Sequence, residues 1–196
     1  MRIATFQLGA LGTNCYIVID EQAKTCAIVD PGASGEAVAD WLKNEDLQPK
    51  YVLLTHGHYD HVGGVAALRA RYADIPVYVH EADTHLTPTL TKGLEWTHFY
   101  GEGDVLTVGS ISLKVLHTPG SVCLQAEDVL LTGDTLFADS CGRTDFPGGS
   151  WSRMMDSLIR LANLSGDFRV LPGHMEDTTL ERERKHNPYM KEATKR

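Results

Sequence analysis

Basic charge is what this sequence has least of: 18 Lys and Arg stand against 26 Asp and Glu, a formal net charge of −8. That balance leaves no footprint for a nucleic-acid backbone, so no nucleic-acid partner is expected and small molecules are favoured. No apolar run approaches the ~18 residues of a membrane helix, so no membrane partner is expected either. Met1 to Leu8 is a mixed, strand-like stretch without the basic start and apolar run of an export signal, and a cytoplasmic location follows as an expectation. The four cysteines, Cys15, Cys26, Cys123 and Cys141, make no CxxC pair and no framework spacing, so reduced, incidental thiols are expected. No linker or low-complexity segment divides the 196 residues. They suffice for one domain with a sizeable core and are short for two, so a single domain over residues 1–196 is expected.

What is present is an alternation of short strands and amphipathic helices. Asn14 to Asp20, Thr25 to Asp30, Tyr51 to Thr55 and Val77 to Val79 read as strands of the first half. Ala37, Val38, Trp41 and Leu42 repeat at helical spacing, and a second helix is read over Val62 to Tyr72. An irregular segment, His85 to Glu102, separates this half from strands at Val105–Val108, Ile111–Leu116, Val122–Gln125 and Val129–Thr132. A helix over Trp151–Ala162 and a strand over Arg169–Leu171 follow, and Thr178-x-x-Glu181 opens a closing helix that frays into a polar tail. Two strand-rich halves, each with helices, predict two sheets face to face with helices outside.

The chemistry concentrates in Thr55-His56-Gly57-His58-Tyr59-Asp60-His61, directly after a buried strand and before a helix. Residues two apart in an extended stretch face the same way, so His56 and His58 can present imidazoles side by side. Asp60 and His61 lie past the turn and can face a neighbouring point, so one segment offers two ligands to each of two metals. Asp60 alone would be a plausible helix cap, and one histidine after a strand would be structural. The density of the set sets it apart. Three more candidates end apolar strands beside Gly or Pro: His117 in Leu116-His117-Thr118-Pro119-Gly120, Asp134 in Gly133-Asp134-Thr135, and His174 in Pro172-Gly173-His174. His80, His85, His98 and His186 lack such positions, although His98 lies among aromatics in a segment that can serve as a lid, as packing or as a dimer contact.

These motifs resemble the metallo-β-lactamase fold superfamily, whose signature is His-x-His-x-Asp-His, and most closely its short bacterial glyoxalase II-like (hydroxyacylglutathione hydrolase-like) members. Asp30-Pro31-Gly32, Gly133-Asp134-Thr135-Leu136-Phe137, Cys141-Gly142-Arg143-Thr144-Asp145-Phe146-Pro147 and His186-Asn187-Pro188 carry the same likeness. The resemblance implies an α/β (α+β) fold, a four-layer αββα sandwich. It also implies one metal on His56, His58 and His117, a second on Asp60, His61 and His174, and Asp134 bridging both. Asp30 would hold a ligand histidine in its tautomer or simply end a strand. Imidazole and carboxylate donors suit two divalent ions, zinc first, with iron and manganese also fitting.

One departure stands out. The group carries a doubled His-Thr-Pro-Gly-His-Thr-Pro-Gly segment whose second histidine is the ligand, whereas here one copy is followed by Ser121-Val122-Cys123. The loop delivering His117 must therefore be rebuilt.

The activity expected from the likeness is hydrolysis of an acyl thioester similar to S-lactoylglutathione, by a hydroxide that the metals generate near neutral pH. Asp60 would orient that hydroxide or hold its proton, and Arg143 would meet a substrate carboxylate or be braced by Asp145. Full-length glyoxalase II proteins add a C-terminal helical region that helps hold glutathione. The short stretch after His174 leaves little of it, so other thioesters or esters stay open as small-molecule substrates. The alternative within the fold is a mononuclear-iron persulfide dioxygenase, which shares the Cys-Gly-Arg-Thr-Asp-Phe loop. A metal-stabilised binding protein is the non-enzymatic reading. Oligomeric state is not legible in the sequence.

Overall fold

The computed structural model describes Met1–Arg196 and divides the strands between two six-stranded sheets. The first takes β1 (Arg2–Leu8), β2 (Thr13–Asp20), β3 (Thr25–Val29), β4 (Gln48–Leu53), β5 (Val77–Val79) and β6 (His98–Phe99), side by side in chain order. β1 to β3 pair antiparallel through tight turns, whereas β3 to β6 run parallel. Parallel neighbours need crossovers. Helix α1 (Gly35–Asn44) provides one, and α2 (Tyr59–Val62) with α3 (Val65–Arg71) provides the next. The second sheet has β7 (Val105–Val108), β8 (Ile111–Thr118), β9 (Ser121–Ala126) and β10 (Val129–Gly133), then β13 (Arg169–Pro172) and β14 (Thr178–Thr179) beyond β10. Between β10 and β13 lie a small ribbon, β11 (Leu136–Phe137) with β12 (Ser140–Cys141), and helix α4 (Trp151–Ala162). Helices α5 (Leu180–His186) and α6 (Pro188–Ala193) close the chain.

Alternation along the strands builds the layers. Cys15, Ile17 and Ile19 of β2 face one way and pack with Val38 and Leu42 of α1 and Leu68 of α3. Their neighbours Tyr16 and Val18 face the other way, into a core shared with Leu113, Val115, Leu124 and Leu131 of the opposite sheet. The reverse side of that sheet, through Leu116, Cys123 and Leu130, meets Met155, Leu158 and Leu161 of α4, with Leu180 and Met190 from the last two helices. Three cores in series make the expected αββα sandwich. They also explain why every residue of β2 is buried.

Two local expectations change. The helix read over Val62 to Tyr72 is broken at Gly63-Gly64 into α2 and α3. Tertiary contact decides this, because the Asp30-Pro31-Gly32 turn lies directly against the break and the Gly64 N–H donates to the Pro31 carbonyl at 2.7 Å. A side chain on Gly32 would sit 1.9 Å from the Asp60 carbonyl oxygen, so this approach requires glycine. The closing helix is capped by Thr179, whose hydroxyl accepts from the Arg182 N–H, while Thr178 instead binds Glu183. The tail does not fray there: Asn187 caps α6, and Met190 and Ala193 return to the core.

Candidate metal centre

β4, β10 and β13 deliver their C-terminal ends to one edge of the sandwich, where loops of α/β proteins carry function. His56 and His58 follow β4, Asp60 and His61 sit on α2, Asp134 follows β10, and His174 follows β13. Donor atoms of His56, His58 and Asp134 lie within 4.8 Å of one another, as do those of Asp60, His61 and His174. Asp134 stands between the groups: its Oδ2 is 3.8 Å from Nε2 of both His56 and His174, and its Oδ1 is 3.5 Å from His61 Nε2.

Asp30 organises the set from behind. Its Oδ1 accepts from the Thr55 N–H at 2.7 Å, and its Oδ2 accepts from the Thr55 hydroxyl at 2.6 Å and faces His61 Nδ1 at 3.0 Å. The Thr55 hydroxyl, its proton committed to Asp30, can only accept from His56 Nδ1, 3.1 Å away. One buried carboxylate therefore holds protons on the Nδ1 atoms of both His56 and His61 and turns both Nε2 atoms toward the centre. There His56 Nε2 and Asp134 Oδ1 are buried without a hydrogen-bond partner. His61 Nε2 also lies 3.2 Å from His174 Nε2, which is itself 3.1 Å from Asp60 Oδ2. Buried imidazole and carboxylate atoms converging on one point, two of them without a partner, fit a divalent cation.

Electrostatics agree. Burial drives the His56 imidazole well below its ordinary range, helped by the neighbouring His61 and His58. Burial would do the same to His61, but Asp134, Asp30 and Asp60 outweigh it and raise its pKa to about 9. For Asp60, burial is overcome by the hydrogen bond from His174 and the charge of His61, which hold it at about 2. Burial raises Asp134 against the pull of His61 and His174. The centre thus gathers imidazoles and carboxylates whose proton affinities their surroundings shift in opposite directions, His56 down and His61 up.

His117 stands apart from both groups. It stays within the β8–β9 ladder, opposite Val122, because Pro119-Gly120 closes the hairpin at once. Its N–H donates to Glu102 Oε2 at 2.8 Å and its carbonyl accepts from Arg160 at 2.9 Å. The imidazole stacks on His80, centroids 4.0 Å apart and planes at 13°. The shortened segment therefore leaves the first group with His56, His58 and Asp134. Arg143 is held by Asp145 in a two-bond pair of 2.7 and 3.0 Å, over the Phe146 ring, so of its two expected roles the structure displays the brace.

Two cavities open on this edge. One, of about 460 Å³, exposes His56, His58, Asp60, Asp134 and His174 and is walled by Leu11, Tyr59, Leu90, Phe137, Phe146 and Met154. The other, of about 550 Å³, runs from His58 past His80, His85 and His117 to Arg153. Leu90, in the irregular segment, covers the first and accepts the Tyr59 N–H through its carbonyl at 2.7 Å. His98 lies at the far end of that segment, stacked on Tyr78. Positioning residues that sequence reasoning missed include Asn14 and Tyr16. Asn14 bonds the carbonyls of Pro172 and Met175, and Tyr16 bonds that of Pro172, so together they fix the loop that carries His174. Their only sequence signal is a polar residue in an apolar strand.

Comparison with known proteins agrees with this geometry. A model of the metallo-beta-lactamase superfamily matches residues 8–174. The hydroxyacylglutathione hydrolase GloC of Haemophilus influenzae is 31% identical over 97% of this chain and 98% of its own. Among solved structures, the BLEG-1 B3 metallo-beta-lactamase is similar at a TM-score of 0.86, with 36% identity over 96% of this chain and 99% of that one. TTHA1623 in a di-iron-bound form reaches 0.83, with 32% identity over 95% and 99%.

Proposed function

The chain belongs to the metallo-beta-lactamase superfamily, and on that premise we propose that it is a hydrolase of acyl thioesters similar to S-lactoylglutathione, holding two divalent metal ions. The observation that carries the reading is the pair of donor groups meeting at Asp134, with partnerless buried atoms on His56 and Asp134 at the floor of a 460 Å³ cavity. His56, His58 and Asp134 would hold one ion, and Asp60, His61, His174 and Asp134 the other. Zinc suits these donors, and iron and manganese are accepted by the same chemistry. Bound there, the ions supply Lewis acidity that polarises a carbonyl and lowers the pKa of a water.

The chain's own residues do the rest. Asp30 and Thr55 keep His56 and His61 in one tautomer. Asp60, ionised and braced by the Thr13 hydroxyl at 3.2 Å, orients rather than stores a proton. The apolar walls receive the acyl or thiol arm and limit water. A thiol leaves readily as thiolate, with a pKa of about 8.5, so the absence of a dedicated acid at the centre favours thioesters over amides. Arg143 can take a substrate carboxylate only if its exposed pair with Asp145 opens, which costs little. The likeness to GloC supports the thioester substrate.

Metal analysis of the purified protein beside S-lactoylglutathione hydrolysis tests this. About two ions per chain with turnover is the expected result, and fully loaded protein without turnover on thioesters overturns it. The likeness to ETHE1 from Myxococcus xanthus, 28% identical over 96% of this chain, favours one second reading, a single iron oxidising persulfides. One iron per chain with persulfide-dependent oxygen uptake and no thioesterase activity would establish that instead.

A further inference from the structure

The 550 Å³ cavity holds one unpaired guanidinium that the hydrolytic centre does not use, beside the His80 and His117 imidazoles, whose pKa burial lowers. Its polar lining is His80, His85 and His117, the guanidinium of Arg153, Asp83, the candidate metal donor His58, and Arg143 already engaged by Asp145. Seven of the ten arginines pair with a carboxylate: Arg2, Arg69, Arg71, Arg143, Arg160, Arg169 and Arg182. Arg184 is taken up by backbone carbonyls. Arg153 faces the cavity with no carboxylate partner, in a chain with eight more acidic than basic residues.

Its position is also electrostatically adverse. It sits in the first turn of the twelve-residue helix α4, which has no acid there, so its charge opposes the positive end of the helix dipole. Fold stability gives no reason for a cation at that point, and a bound anion would answer both the guanidinium and the dipole. The other charged groups facing the chamber leave the balance positive. Asp83 is buried against the Gly57 N–H and raised by burial to about 7, and Glu102 is spent on Arg160 and the His117 N–H. The imidazoles supply donors: His80 Nδ1 accepts from the Ala82 N–H, so its proton lies on Nε2, and no protein group bonds the His117 ring nitrogens.

The two cavities meet at His58, Pro119, Gly120, Phe146, Gly149 and the Asp145-paired Arg143. A ligand crossing that junction passes the metal donors with one arm among apolar walls and the other at Arg153. We propose that this chamber binds a carboxylate on one arm of the substrate, so that the preferred thioesters are those with an apolar arm and an anionic arm. The inference rests on the hydrolase reading and adds its substrate class.

Two measurements test it. Kinetics compare S-phenylacetyl-3-mercaptopropionate with the neutral S-phenylacetyl-N-acetylcysteamine in metal-loaded protein. The wild type is expected to favour the carboxylate through KM by roughly tenfold, the scale of one charge-assisted hydrogen bond. In Arg153→Gln, exposed and thus expected to fold, that ratio falls to near one, while Arg153→Lys keeps part of it. Separately, glutarate is titrated into metal-free protein with the imidazole NMR signals of His80 and His117 as readout. Shifts that vanish in Arg153→Gln are expected.

No carboxylate preference in the wild type, or one that survives Arg153→Gln, overturns the proposal. Glutarate binding without any preference makes the chamber a site for free anions and overturns the substrate class. If neither thioester turns over, the hydrolase reading fails, and Arg153-dependent glutarate shifts still establish the anion chamber, whereas their absence removes it.

Discussion

Asp30 contributes no atom to either donor group, yet it sets the tautomers of two imidazoles, one directly and one through Thr55. Its backbone is left-handed, φ 50°, a conformation that asparagine tolerates as well as aspartate. Asp30→Asn is therefore expected to fold while facing two Thr55 donors with only one acceptor oxygen and losing the charge that holds His61. Metal affinity should drop roughly 10- to 100-fold, the usual cost of removing such a partner. Competition with a chromophoric chelator measures it, and unchanged affinity would remove Asp30 from the metal centre. At this scale the sequence was most informative. The His56–His61 cluster, Asp134 and His174 come together where their strand ends predicted, because ligand spacing within one loop is a local property. His117 was legible as a polar residue beside Pro-Gly, but its direction depends on strand register and on Glu102 and Arg160, which are distant in the chain.

Element boundaries show the same division. Trp151–Ala162 forms the helix that its periodicity predicts, since its apolar stripe meets a sheet already built. The break at Gly63-Gly64 and the shift of the α5 cap to Thr179 follow from packing against other parts of the chain. Asn187 joins α5 and α6 to the β11–β12 ribbon: its Oδ1 caps α6 by accepting from the Tyr189 and Met190 N–H groups, and its Nδ2 donates to the Phe137 and Ser140 carbonyls and to Glu183. Asn187→Ala removes a cap worth about 1 kcal/mol and leaves buried carbonyls unpaired, a total cost of roughly 2–4 kcal/mol. Urea unfolding with a constant m-value should register it, and a loss under about 1 kcal/mol would show that water replaces the side chain.

Across the whole molecule, three apolar cores carry the fold, and the candidate metal centre sits at one edge of them. Metal is thus expected to add stability by linkage without being required for folding. After chelation the far-UV circular dichroism should stay native, while Tm falls by roughly 10 °C at metal concentrations near a thousand times Kd. Collapse of the dichroism on chelation would instead make the metal a structural element. None of the helices is long and apolar enough to cross a membrane.

The sequence by itself determined the layer plan and most of the residues that could hold metal, because alternation along strands and spacing within a loop are encoded over a few neighbouring residues. Tertiary structure alone decided which way His117 points and where the helices break. It also decided between the two roles expected of Asp30, brought Asn14 and Tyr16 to the loop of His174, and placed Arg153 and three imidazoles around one chamber. These are encounters between segments tens of residues apart, set by sheet register and packing, and no local pattern records them.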